Sequence, residues 1–169
     1  SVGSNITLKY PKNGEYRSAY VIANIDDEPT DEAMVFYEYT SNGSEEDGLR
    51  VNILDKDEDG KWYSVKELAG AGTDIDQVII SPMGSNNQTD VFVGYQNLTN
   101  DEKTMEIYSY TDGDFKRVAL DTYSVLEPLD INNDGYIELI TIQRSTNNDT
   151  GAVTAKASML NMKNNEITR

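Results

Sequence analysis

Asp130-Ile131-Asn132-Asn133-Asp134-Gly135-Tyr136-Ile137-Glu138-Leu139-Ile140-Thr141-Ile142 sets oxygen-bearing side chains on alternate residues around a glycine, then runs into an apolar segment. Calcium takes oxygen ligands in this way from a tight loop, with a glycine for the turn and a carboxylate to complete the shell. The ligand set is Asp130, Asn132, Asp134, the carbonyl of Tyr136, and Glu138. An EF-hand would close its loop at Thr141 and continue as a helix. Here the loop closes earlier and strand-favouring residues follow. The stretch therefore reads as a calcium loop between two strands, with a metal-free Asx-rich turn as the alternative.

Working outward, the segment after the loop has counterparts. Glu138-Leu139-Ile140-Thr141-Ile142-Gln143 aligns with Glu32-Ala33-Met34-Val35-Phe36-Tyr37 and Asp90-Val91-Phe92-Val93-Gly94-Tyr95, a period of roughly fifty residues, in the range of propeller blades. An apolar run precedes each copy (Tyr20 to Ile25, Val78 to Ile80, Val125 to Ile131) and another follows (Leu49 to Leu54, Met105 to Tyr110, Val153 to Leu160). Turns rich in Asp, Asn and Gly lead to a fourth run, Trp62 to Leu68 and Phe115 to Leu120, in the first two copies. The expected fold is all-β, with three four-stranded antiparallel blade-like repeats. Residues 1–18 form an N-terminal segment, 19–72 the first repeat, 73–122 the second and 123–169 the third, whose outer strand is incomplete. Propellers close with about four to eight blades. Three repeats thus predict a partial or open β-propeller, with three alternatives: an excerpt of a longer propeller, an open arc of three stacked repeats, or a ring completed by Ile6 to Tyr10 added to the third repeat or by a partner chain, with a homodimer through open blade edges as one outcome.

Composition narrows function. The 169 residues include 14 basic and 30 acidic side chains, a net charge of −16, which repels phosphate backbones and anionic lipid headgroups. Nucleic acid and direct membrane insertion are not expected, and no window approaches the ~18 apolar residues of a membrane span. The absence of Cys and His removes thiol nucleophiles, disulfides and the commonest general base. Carboxylates, hydroxyls and amides remain. Ser1-Val2-Gly3-Ser4 lacks a signal-peptide pattern, as expected of a mature or trimmed piece.

The order of strand, Asp/Asn loop, strand and hairpin resembles the FG-GAP and VCBS-type repeats of extracellular β-propellers. Leu8-Lys9-Tyr10-Pro11-Lys12-Asn13-Gly14-Glu15-Tyr16-Arg17-Ser18-Ala19-Tyr20, Glu32 to Tyr37, and Leu68-Ala69-Gly70-Ala71-Gly72 look like a family of uncharacterised clostridial-type secreted lipoproteins with such repeats. The resemblance implies an extracellular, cell-surface lipoprotein of a Gram-positive-type bacterium, its anchor outside this chain, with calcium in the better-preserved loops. It supplies no ligand and no reaction.

The three loops are unequal. The first register gives Asn24, Asp26, Glu28, Thr30 and Glu32, with Pro29 where the glycine belongs. Proline cannot adopt positive φ, so that loop must take another path, and it makes a weaker second site. The second register, Pro82, Gly84, Asn86, Gln88 and Asp90, has lost most charge and is expected to hold no metal. Asp55-Lys56-Asp57-Glu58-Asp59-Gly60 reads as a solvated hairpin turn, and Gly70 and Gly72 as a connection between repeats. Phe36, Tyr37, Tyr39, Phe92, Tyr95, Tyr108 and Tyr110 read as packing between repeats rather than a sugar platform. Sequons at Asn5, Asn42, Asn87, Asn97 and Asn148 matter only in a eukaryotic secreted chain.

The combined expectation is a non-catalytic, calcium-stabilised β-propeller-like surface module that binds a protein or glycan partner. The rival is a carboxylate-based glycoside hydrolase or part of one, which needs neither His nor Cys; no carboxylate pair stands in a recognisable catalytic context.

Overall fold

A computed structural model describes residues 5–41, 47–84, 88–97, 101–163 and 166–169. The expected loop position Asn86, the sequons at Asn42 and Asn87, and residues 1–4 lie outside these. The described residues contain no helix and form thirteen strands: β1 (Asn5–Leu8), β2 (Tyr20–Ala23), β3 (Glu32–Thr40), β4 (Gly48–Lys56), β5 (Trp62–Ala69), β6 (Asp74–Ser81), β7 (Asp90–Gln96), β8 (Lys103–Thr111), β9 (Asp114–Tyr123), β10 (Val125–Leu129), β11 (Glu138–Thr146), β12 (Val153–Lys163) and β13 (Glu166–Thr168). All pairings are antiparallel, in three sheets ordered β1-β3-β4-β5 with β2 also on β3, then β6-β7-β8-β9, then β10-β11-β12-β13.

Two expectations are corrected. The N-terminal strand does not complete the third repeat: β1 lies on the Tyr37–Thr40 half of β3, beside β2 on the Glu32–Val35 half. A nine-residue β3 outruns the four-residue β2, and β1 satisfies the backbone groups left bare, which makes the first sheet five-stranded. The outer strand of the third sheet, β13, has only three residues against the eleven of β12.

Residues alternate faces along a strand, and that alternation stacks the sheets. Met34, Phe36, Val51 and Ile53 of the first sheet share a core with Val78, Val91, Val93 and Tyr95 of the second. From the other face of the second sheet, Phe92, Met105, Ile107 and Tyr123 meet Leu126, Leu139 and Leu160 of the third. The middle sheet is thus covered on both sides, and six of the seven residues of β7 are buried. Burying a ring such as Phe36 or Phe92 contributes about 1.5–3 kcal/mol.

Gly94 belongs to this packing. A Cβ on it would overlap the Tyr123 hydroxyl and crowd Phe92 Cε1 at 3.2 Å, and Tyr123 is itself fully buried. We expect Gly94→Ala to cost ~3 kcal/mol by overpacking, a fall in Tm of ~6–12 °C by calorimetry; a fall below ~2 °C would show that the ring yields freely.

Candidate functional site

The central strand of each sheet opens with a buried carboxylate: Glu32, Asp90 and Glu138. Each accepts a backbone N–H from the residue seven places earlier, Glu32 Oε2 from Ile25 at 2.8 Å, Asp90 Oδ2 from Met83 at 2.9 Å and Glu138 Oε2 from Ile131 at 2.9 Å. A loop folded against a sheet buries amides, and a buried amide needs an acceptor. The residue read from sequence as the closing ligand is therefore first a staple between loop and strand. The copies differ in what their second oxygen does.

In the third loop, Asp130 accepts the N–H groups of Asp134 at 3.1 Å and Gly135 at 3.0 Å, Asn132 Oδ1 accepts the Asp134 N–H at 2.9 Å, and Asp134 Oδ1 accepts the Tyr136 N–H at 2.9 Å. Asn133 and Gly135 hold positive φ, 57° and 89°, which glycine adopts freely and Asn tolerates. The amide of Asn132 donates to Asp134 Oδ2 at 2.9 Å and Glu138 Oε1 at 3.2 Å. An electropositive NH2 group thus lies between the two carboxylates a cation would join. A groove of about 390 Å³ is lined by Asn132, Asp134, Tyr136, Glu138 and also Lys163.

The first loop brings Asn24, Asp26 and Glu32 together differently. The Glu28 N–H donates to Asp26 Oδ1 at 2.8 Å, and the Asn24 amide donates to the Glu28 carbonyl at 2.6 Å. No residue from 24 to 32 has positive φ, as Pro29 requires. Glu32 Oε1 is buried with no hydrogen-bond partner. Burial raises the Glu32 pKa, the Ile25 N–H opposes the shift, and the negative charges of Asp26 and Asp55 add to it. Burial likewise raises Asp26, with Asp55 and Asp27 contributing. Asp55 comes from the end of β4, at the edge of the acidic hairpin turn. Asn24, Asp26 and Asp27 line a cavity of about 280 Å³ with Gln88 and Thr89, which precede β7, and Tyr110 of β8.

In the second loop both Asp90 oxygens are engaged. Oδ2 also accepts the Gly84 N–H at 3.2 Å, and Oδ1 accepts the Ser109 hydroxyl. Neither Asp90 oxygen is left without a protein donor. Among the described residues, no three Asp or Glu side chains stand in an arrangement that could hold a metal ion. The donor types of the third loop suit calcium, but binding requires Asn132 to turn its amide and present oxygen. In the first loop, Glu32 Oε1, Asp26 and Asn24 are the groups that would serve.

A further cluster had no signal in the sequence. Asp76, 1 % exposed, takes Lys103 Nζ at 2.8 Å and Asn13 Nδ2 at 2.8 Å on Oδ1, and the Tyr123 hydroxyl at 2.6 Å on Oδ2. Lys103 Nζ also stands 5.6 Å above the Tyr123 ring centroid. Burial raises the Tyr123 pKa strongly, and its bond to Asp76 adds to the effect. The cluster borders a cleft of about 430 Å³ lined also by Gln77, Ser124 and Glu127. Its four members come from four separate segments, so no local pattern announces them. With every Asp76 oxygen engaged, it is arranged as a staple tying the N-terminal segment to the second sheet.

No protein-family profile matches the chain, and no curated protein or solved structure shows significant similarity to it. Among the described residues no helix is long and apolar enough to cross a membrane.

Proposed function

We propose that the chain is a non-catalytic, calcium-stabilised β-propeller-like module of a bacterial cell-surface lipoprotein, presenting its loops to a protein or glycan partner. The observation that carries the calcium clause is the contrast among the three stapling carboxylates. Asp90 is saturated by protein donors. Glu32 keeps a buried oxygen without a donor, and Glu138 shares its second oxygen with an amide that also holds Asp134. Calcium would neutralise these groups and pin the turns between strands, a structural role. The surface location and the lipoprotein parent are supported by the sequence resemblance and the net charge of −16.

The test is a thermal melt in excess calcium and in chelator, for wild type and Asp130→Ala. A ligand held only by the folded state stabilises it by ~2.7 kcal/mol at one hundred times its Kd, a rise in Tm of ~5–11 °C for a chain of this length. Asp130→Ala is expected to reduce that rise. Identical wild-type melts in calcium and chelator would remove the calcium reading.

A further inference from the structure

The three sheets stack with one polarity, and the stack ends on two different faces of the kind it buries inside. Equivalent positions make this visible. Tyr20 pairs with Val35, Val78 with Val93 and Leu126 with Thr141. Val78 is 1 % exposed against the first sheet and Leu126 7 % exposed against the second, but Tyr20 is 58 % exposed. On the opposite face, Ile53 pairs with Met34, Ile107 with Phe92 and Met159 with Ile140. Ile53 is 1 % and Ile107 0 % exposed beneath the following sheet, whereas Met159 is 47 % exposed.

The leading face of the first sheet carries Ile6, Leu8, Tyr20 and Ile22, which are 64, 50, 58 and 52 % exposed. The pairings of Ile6 with Tyr39, Leu8 with Tyr37 and Ile22 with Ala33 put these side chains on the same face as Tyr20. The trailing face of the third sheet carries Val125, Leu129, Val153 and Met159, at 39, 44, 66 and 47 %. Isolated exposed apolar residues need no explanation, but contiguous patches at both ends of a stack do. Each internal interface joins a trailing face to a leading face, and the two free faces are one of each kind.

We propose that a second copy of this chain covers both, the trailing face of each copy docking on the leading face of the other. The contact continues the sheet-to-sheet interface already repeated inside the molecule, and is made by faces rather than by strand edges. A head-to-tail contact builds either a closed ring or an open filament. The described residues of two copies carry six sheets, within the about four to eight blades at which propellers close, and the proposed assembly of this chain is the closed dimer. The inference rests on the stacking and is independent of calcium. Because each copy carries a net charge of −16, added salt screens the repulsion between copies and strengthens the association.

The test is light scattering coupled to size exclusion over a dilution series, for wild type, Tyr20→Glu and Met159→Glu. Both sites are exposed, and circular dichroism verifies that the variants fold. Wild type is expected at twice the monomer mass. Each substitution alone raises the dimer dissociation constant by at least ~10-fold. An equimolar mixture of the two variants recovers a one-to-one complex, because one intact trailing face then meets one intact leading face. A wild-type monomer at every concentration overturns the proposal. So does a dimer that one substitution abolishes and the other leaves untouched, which would mean a face docking on its own copy.

Discussion

Asp76→Ala is expected to lower the unfolding free energy by ~3–5 kcal/mol, the cost of removing one partner from a buried charge pair. The Lys103 ammonium, its side chain 18 % exposed, loses its counter-ion, and the fully buried Tyr123 hydroxyl loses its acceptor. An unsatisfied buried hydroxyl adds ~1–3 kcal/mol to such a loss. The N-terminal segment is affected as well, because the Asn13 amide leaves its anchor while the Asn13 N–H still donates to the Asp76 carbonyl at 2.7 Å. Chemical denaturation gives the size of the loss, and hydrogen exchange at Lys12 and Asn13 reports its local part. A double-mutant cycle with Lys103→Met isolates the ion pair: if the charges carry the effect, removing both costs less than removing Asp76 alone. A loss under ~1 kcal/mol would place Asp76 among ordinary surface carboxylates. Tyr123 adds a pH signature. Its folded pKa lies above the ordinary value of 10, so the stability it contributes is fully present below pH 10 and is lost as pH rises from there toward the folded pKa.

What was legible in the chain follows the range of each interaction. Period-two alternation in Met34-Val35-Phe36 and Val91-Phe92-Val93, repeated at a constant interval, is a local signal, and it announced the strands and their order. The hairpin between β4 and β5 was equally local: Asp57 Oδ1 accepts the N–H groups of Asp59 at 3.0 Å and Lys61 at 2.8 Å, and Gly60 has a φ of 76°. The partner of β1 was not legible, because a short apolar strand satisfies any bare edge and only the unequal lengths of β2 and β3 select among them. Asp55 was misleading for a related reason. Its neighbours in sequence mark a solvated turn, yet the strand it ends lies beside the first loop, and its charge acts on Glu32 and Asp26. The Asp/Asn pattern of the loops is local to the sequence, but its closing carboxylate also accepts a loop amide, a duty shared by all three copies and visible only once the strands pack.

Asp90→Ala tests that shared duty at its fullest. The substitution strips the acceptor from the Met83 and Gly84 N–H groups and from the Ser109 hydroxyl, all of them buried. At ~1–3 kcal/mol for each buried donor left unmade, even partial recovery through water leaves an expected loss of ~3–5 kcal/mol. Since both Asp90 oxygens are engaged by protein, the variant's shift in Tm between chelator and calcium should equal that of wild type. Glu32→Gln at the equivalent position should behave in the opposite way. It keeps an oxygen for the Ile25 N–H and replaces the buried, unpartnered Oε1 by a donor beside Asp26 and Asp55, so in chelator it is expected to be within ~1 kcal/mol of wild type or more stable. In calcium it should lose the first loop's share of the stabilisation, because an amide NH2 cannot ligate a cation. Melts of both variants in the two buffers decide the matter. A calcium response missing from Asp90→Ala, or fully retained in Glu32→Gln, would show that the division of labour between stapling and cation binding has been assigned to the wrong copies.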